Sequence, residues 1–209
     1  MYTTFHGDCG LDKWIADHFM VNDHLENGVI IDIGAYHPTY LNISYFFEKN
    51  GWDTYCIEAN PYMITELNKV RKNVIPYAVS NVCEDDCDFI VVKGNFDEFG
   101  QGGGTGFHSD VNRTDAVSEI VKVKKVTLDH LLATEIKVNK IDVVTIDVEG
   151  HENSVLDGFD LERWRPKLMV IENFIEPTWR SRRIRSRLKS AGYELAERIQ
   201  VNDCFIRVD

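Results

Sequence analysis

In Gly28-Val29-Ile30-Ile31-Asp32-Ile33-Gly34-Ala35, a short β-branched run ends on an acid and a glycine. A run of this length reads as a buried strand whose last residues emerge at the end of a sheet. Working outward, Tyr40 to Asn50 reads as a helix and Thr54 to Glu58 as a second strand. Asn60-Pro61 is a cap followed by a residue that suits the first helical position, so a helix is expected from Pro61 to about Arg71. Val74 to Val79 is the third expected strand, and Pro76 within it argues for a sheet edge. A βαβαβ order of this kind predicts a parallel sheet with helices on both faces.

The middle of the chain is less regular. Cys87 to Lys93 and Lys122 to Val126 are candidate strands, with Thr127 capping a helix through Leu132. Between them lies a glycine-rich run, Gly100 to Gly106, too long for a tight turn, which reads equally as a loop that closes over a site or as a plain disordered excursion. Alternation then resumes: a strand at Ile141 to Asp147, a helix from Asn153, a strand at Leu168 to Glu172, and a basic helix from Arg180 to Ala191 stopped by Gly192. Tyr193 to Ile199 and Cys204 to Val208 are expected to form an antiparallel hairpin around a turn at Asn202-Asp203. The expected architecture is therefore α/β, a doubly wound and mostly parallel sheet of Rossmann-like type with a C-terminal antiparallel hairpin. Residues 1–209 are expected to form a single domain, with an N-terminal segment and helix over 1–27 and the core over 28–209.

Composition narrows the function classes. The 209 residues are 44% hydrophobic and 27% charged, a globular balance. The net charge of −11 argues against nucleic acid, whose phosphates want a basic surface. That charge is unevenly spread. Arg163 to Lys189 holds nine basic residues against two acidic ones, net +7, which leaves −18 for the remainder. No apolar run approaches the ~20 residues of a membrane span. The polar Met1 to Gly10 has no leader-like hydrophobic stretch. Five cysteines at irregular spacings suit neither a zinc site nor a disulfide framework. A cytoplasmic location, with no membrane partner, is the expectation.

Asp32 and Gly34 fall at the end of the first expected strand, the edge where open α/β sheets bind ligands. The stretch is not G-x-G-x-x-G, so a dinucleotide pyrophosphate is poorly supported. Glu58 ends the second strand where a ribose diol needs an acceptor. Asp32 with Glu58 thus suits a nucleoside ligand.

At this point the chain resembles a known family. Asp32-Ile33-Gly34-Ala35-Tyr36-His37-Pro38, Gly51-Trp52, Ile57-Glu58-Ala59-Asn60-Pro61, Ala78-Val79-Ser80, Thr127-Leu128-Asp129, Ile146-Asp147-Val148-Glu149-Gly150-His151-Glu152 and Val155-Leu156 are similar to the FkbM family of S-adenosylmethionine-dependent methyltransferases. The resemblance runs in order from about Cys9 to Tyr193. It implies a class I methyltransferase core. It also implies a cofactor site built from Asp32, Gly34, Ala35 and Tyr36, with Glu58 on the ribose and Ala59 and Ser80 near the adenine. Asp8 and Leu11 stand where the family usually has Gln and Glu, and Asn42-Ile43-Ser44 where it often has Ser-Asn-Thr. The methionine end of the cofactor is expected near those departures.

A second group of polar residues sits at neighbouring strand ends: Asp147, Glu149, His151 and Glu152 after one strand, Glu172 and Asn173 after the next. Asp147, Glu172 and Asn173 form an oxygen-rich set suited to Mg²⁺ or Mn²⁺, which would acidify and orient an acceptor hydroxyl. Without metal, Asp147, Glu149 or His151 is the candidate general base. The blander alternative has Glu149 and Glu152 capping the following helix. Arg180, Arg183 and Arg187 share a helix face that suits an anionic acceptor or, more simply, a solvated surface. The expected activity is O-methyl transfer to a hydroxyl of a sugar in a glycan or glycoconjugate, an acceptor class that comes from the family resemblance. Two rivals remain. A nucleotide-binding oxidoreductase is disfavoured by the missing glycine fingerprint and the lack of a Tyr-x-x-x-Lys pair. A silent binding module is disfavoured by the intact Asp32, Glu58 and Asp147.

Overall fold

The computed structural model describes residues 3–22, 27–93, 106–107, 117–173 and 178–208. Most of the glycine-rich run, and His108 and Ser109 after it, lie outside these residues. The main sheet has seven strands: β1 (Val29–Ile33), β2 (Asp53–Ile57), β3 (Val74–Ile75), β8 (Val143–Ile146), β9 (Leu168–Glu172), β10 (Tyr193–Ile199) and β11 (Asn202–Arg207). Its order is β10-β11-β9-β8-β1-β2-β3, parallel from β9 through β3 and antiparallel at β11 and β10. Strand order reverses between β1 and β8. The α/β architecture expected from the sequence is the one observed.

Side-chain alternation along β1 explains the layers. Val29, Ile31 and Ile33 enter one core with Leu128 and Leu131 of helix α4 (Leu128–Thr134), Val155 and Leu156 of α5 (Glu152–Asp157), and Ile184 and Leu188 of α7 (Trp179–Ser190). Ile30 enters the other core with Leu11 and Ile15 of α1 (Leu11–Ala16), Phe46 and Phe47 of α2 (Ile43–Lys49), and Trp52. Each such buried side chain contributes roughly 1.5–3 kcal/mol. A short helix α6 (Leu161–Trp164), capped by Asp160, precedes β9. The expected caps form: Asn60 accepts from Tyr62 N ahead of α3 (Pro61–Val70), and Thr127 from His130 N.

Several boundaries differ from expectation; the candidate strands Cys87 to Lys93 and Lys122 to Val126, for instance, begin earlier, at Glu84 and Val117. The run Val74 to Val79 is not one strand. Pro76 has no N–H to continue the ladder, and Tyr77 N bonds back to Ile75 O at 3.0 Å. β3 therefore ends at Ile75 on the sheet edge. Ala78–Val79 (β4) crosses to a second sheet of order β4-β7-β5-β6, with β5 Glu84–Lys93, β6 Gly106–Phe107 and β7 Val117–Val126. Helix α2 begins at Ile43, not Tyr40, because the Asn42 side chain caps it by accepting from Tyr45 N. The C-terminal turn lies at Gln200-Val201 rather than Asn202-Asp203. Asp203 is a buried strand residue, ion-paired with Arg185 and Arg198.

Gly34 follows β1 with φ +81°, and a Cβ built there would fall 1.7 Å from the Asp147 carbonyl oxygen. The ends of β1 and β8 approach so closely that no side chain fits between them. Gly34→Ala should therefore cost about 3 kcal/mol or more, from left-handed backbone strain and a forced separation of the two strands. Thermal unfolding followed by circular dichroism checks this, and an unchanged Tm would refute the close approach.

Candidate active site

The reversal of strand order between β1 and β8 leaves a crevice at their C-terminal ends, where ligands of open α/β sheets bind. A cavity of about 380 Å³ lies there, of the size of a small-molecule site. Asp32, Gly34, Ala35, Tyr36, Glu58, Ala59, Asp147, Glu149 and His151 all line it. Ser80 stands behind its wall, with Oγ 2.9 Å from Nε2 of His151. Neither Glu172 nor Asn173 lines it.

Glu58 is held by the backbone around it. Its Oε1 accepts from Ala59 N at 2.8 Å and Asn60 N at 2.7 Å, and Oε2 accepts from Tyr36 N at 2.9 Å. Burial nevertheless pushes its carboxyl up to about 7, outweighing the backbone donors of Asn60 and Ala59. Ala59 packs with Ala78 and Phe89 beside it, and all three line the cavity. An apolar wall next to a buried carboxylate suits a flat heterocycle and a vicinal diol.

Asp32 has both oxygens engaged: Thr145 Oγ1 donates to Oδ1 and Ser44 Oγ to Oδ2, each at 2.6 Å. It joins β8 and α2 as well as facing the cavity. The loop between β1 and α2 forms the adjoining wall. Tyr36 and Leu41 both have positive φ, 52° and 54°, a strain of about 1–3 kcal/mol each. His37 holds this loop, its Nδ1 accepting from Thr39 N at 3.2 Å and Tyr40 N at 2.8 Å. Gly7 bridges to Leu41, which brings Asp8 and Leu11 to the cavity as well.

The acids after β8 and β9 form a charged cluster. Asp147 opens onto the lumen, so water reaches it there, although protein surrounds it at depth. Burial raises its pKa well above the usual range, and the charges of Glu172, Glu149, Glu152 and Asp8 raise it further. Glu172 is pushed up to about 8 by burial, then by Glu149 and Glu152, and it shares a side-chain hydrogen bond with Asp147. Two carboxyl groups so joined hold a proton between them and titrate as a pair. Glu152 serves the bland role, accepting from Gly150 N at 2.8 Å at the start of its own helix.

The expected metal set does not fit this arrangement. The Asn173 amide nitrogen donates to Asp203 Oδ2 at 2.7 Å and to Ser181 Oγ at 3.1 Å, away from the cavity. Glu172 shares a hydrogen bond with Asp147, and no cluster of three or more potential metal ligands occurs among the described residues. The arginine face is also committed elsewhere. Arg183 Nη2 and Arg187 Nη1 both bond Asp157, and Arg180 Nη1 lies 3.5 Å from Gly150 O. No lysine or arginine lines the cavity among the described residues.

The methyltransferase FkbM domain model matches residues 32–195. The chain belongs to the FkbM methyltransferase family. The activity of the chain is accordingly methyl transfer from S-adenosylmethionine. Among solved structures, that of M. jannaschii TYW2 in complex with AdoMet matches at 16% identity and a TM-score of 0.39, covering 99% of this chain and 80% of that one. No curated protein matches the sequence. No helix among the described residues is long and apolar enough to cross a membrane.

A carboxyl with a pKa near 7 is neutral below that value and an acceptor of hydroxyl hydrogens above it. Affinity for S-adenosylhomocysteine should therefore tighten from about pH 6 to about pH 8. Glu58→Gln should flatten that dependence and weaken binding by roughly 1.5–3 kcal/mol, the worth of hydrogen bonds to a charged group. Calorimetric titration across pH reads both, and an unaltered profile in the variant would clear Glu58 of the role.

Proposed function

We propose that this chain transfers a methyl group from S-adenosylmethionine to a hydroxyl oxygen, on a sugar of a glycan or glycoconjugate. The observation that carries O-methylation is Asp147: a carboxyl facing the lumen, with a raised pKa and a proton-sharing partner in Glu172. A hydroxyl is a poor nucleophile until its proton leaves, and a carboxylate with an elevated pKa is suited to receive it. The sugar is favoured by the family resemblance and by a cavity whose lining mixes hydroxyl- and carboxylate-bearing side chains with apolar walls.

The donor set fits the cofactor. S-adenosylmethionine supplies an electrophilic methyl on its sulfonium when bound. Glu58 would hold the ribose hydroxyls through its carboxylate oxygens, with Ala59, Ala78 and Phe89 against the adenine. Ser80, behind that wall, would act through His151. Gly34, Ala35 and Tyr36 would supply backbone along the ligand, and Asp32 would fix the turn that carries them. Asp8 and Glu149 add negative charge that favours a cationic cofactor. Asp147 would take the acceptor's proton at a carboxylate oxygen, with Glu172 sharing it. His151 is the alternate base, and its contact with Ser80 holds it beside the lumen.

The direct test incubates the protein with isotopically labelled cofactor and a panel of neutral, amino and acidic glycans, read by mass spectrometry. Label on a sugar oxygen is the expected outcome. Label only on nitrogen or carbon acceptors would overturn the assignment. Asp147→Asn should lower kcat by about 10²–10⁴-fold while leaving S-adenosylhomocysteine affinity nearly unchanged. Turnover at the wild-type rate would remove Asp147 as the base.

The rate should also rise with pH around 8, as the Asp147–Glu172 pair, kept protonated by burial and neighbouring carboxylates, gives up its shared proton. Glu172→Gln removes one of those charges and should move the inflection lower. A pH–rate profile that Glu172→Gln leaves in place would exclude the pair from the proton transfer.

A further inference from the structure

The side chain of Arg71, just beyond α3, is fully buried. A guanidinium has five N–H donors in a fixed fork, and here each finds an acceptor. Nε donates to Glu48 Oε2 at 3.1 Å. Nη1 donates to Asn42 Oδ1 at 2.8 Å and to Pro38 O at 3.3 Å. Nη2 donates to Ser44 Oγ at 2.8 Å and to Thr54 Oγ1 at 3.4 Å. One side chain thus ties the β1–α2 loop, α2 and β2 together.

Two of those partners pass the connection on to the cavity wall. Ser44 Oγ, while accepting from Arg71, donates to Asp32 Oδ2 at 2.6 Å. Asn42 accepts from Arg71 and from Tyr45 N, and its Nδ2 donates to Ala35 O at 2.8 Å. Asp32 and Ala35 flank the Gly34 turn, and Tyr36 and Leu41 in the same loop hold strained positive-φ conformations. Strain of this kind persists only where the surroundings over-determine it. Arg71 lies outside the residues lining the cavity, so it acts through others.

We propose that Arg71 is a positioning residue for the cofactor, setting the Asp32–Tyr36 wall through Ser44 and Asn42, on the reading of this cavity as the S-adenosylmethionine site. The fork is what the arrangement uses. Lysine offers a point charge and cannot serve five acceptors from one plane. Removing the arginine alone would strand the buried Glu48 carboxylate and unfold the protein for an unrelated reason. Replacing Arg71 and Glu48 together by methionine removes both charges, preserves volume and leaves the loop without its anchor.

The experiment measures S-adenosylhomocysteine affinity, the KM for S-adenosylmethionine and kcat for wild type, Arg71→Lys and the Arg71→Met, Glu48→Met double variant, with Tm recorded for each. The expected result is a loss of affinity of roughly tenfold or more in both variants, the worth of a charged hydrogen bond. KM should rise more than kcat falls, and the double variant should not regain affinity even where it regains Tm. Wild-type affinity in a folded double variant, or in Arg71→Lys should the double variant not fold, would overturn the positioning role alone. Absence of binding by wild type would overturn the cofactor-site reading, and the proposal with it.

Discussion

The β1 and β8 backbones meet at Gly34 and the Asp147 carbonyl with no room for a Cβ between them. That contact brings two strand ends, each bearing an acid, to one crevice. Asp32 lies near the end of β1 and Asp147 just after the neighbouring parallel β8, so their placement follows from the register that pairs Ile33 with Ile146. Glu58 joins them from β2 on the other side, because Ile33 also pairs with Ile57. The three carboxylates that define the cavity are thus set by sheet geometry before any loop is considered. Glycine at position 34 is demanded first by this packing, and its openness to a ligand is a consequence.

The charge distribution follows from the same placement. Burial and the gathering of Asp8, Asp147 and Glu149 at one crevice, with Glu172 hydrogen-bonded to Asp147, raise the pKa of Asp147 and Glu172, so that the two hold a proton between them. A site of this kind welcomes a positive ligand and resists a negative one. Among the described residues the lysines and arginines lie outside its lining. Arg183 and Arg187 converge on Asp157 at the end of α5, and Arg185 and Arg198 on Asp203 within β11. The arginine-rich helix therefore reads as a face that ties α7 to its neighbours. It presents no ring of cations to an anionic acceptor.

The loop after β1 is the least self-sufficient part of the cavity. Its conformation includes two non-glycine residues in the left-handed region, and local sequence does not pay that cost. His37, Asn42 and the backbone donors to Glu58 supply part of the restraint from within. Arg71 supplies the rest from another element. Rigidity at a site that must align reacting atoms is therefore borrowed from a buried polar network between two helices and a strand.

The residues by themselves determined the alternating α/β order, the caps at Asn60 and Thr127, and the acids at the ends of three core strands. These are local signals, readable because hydrophobic period and capping act within a few residues. The tertiary structure alone decided how the polar side chains paired. Ser80 meets His151 across 71 residues, and Arg71 meets Asn42 across 29, with no pattern between them to announce it. Asn173 looked like a ligand from its place at a strand end, yet its amide turns to Asp203. A strand end fixes where a Cα stands but not which way a flexible side chain turns. That direction is set by whichever buried charge most needs a partner, and only packing reveals which one lies within reach.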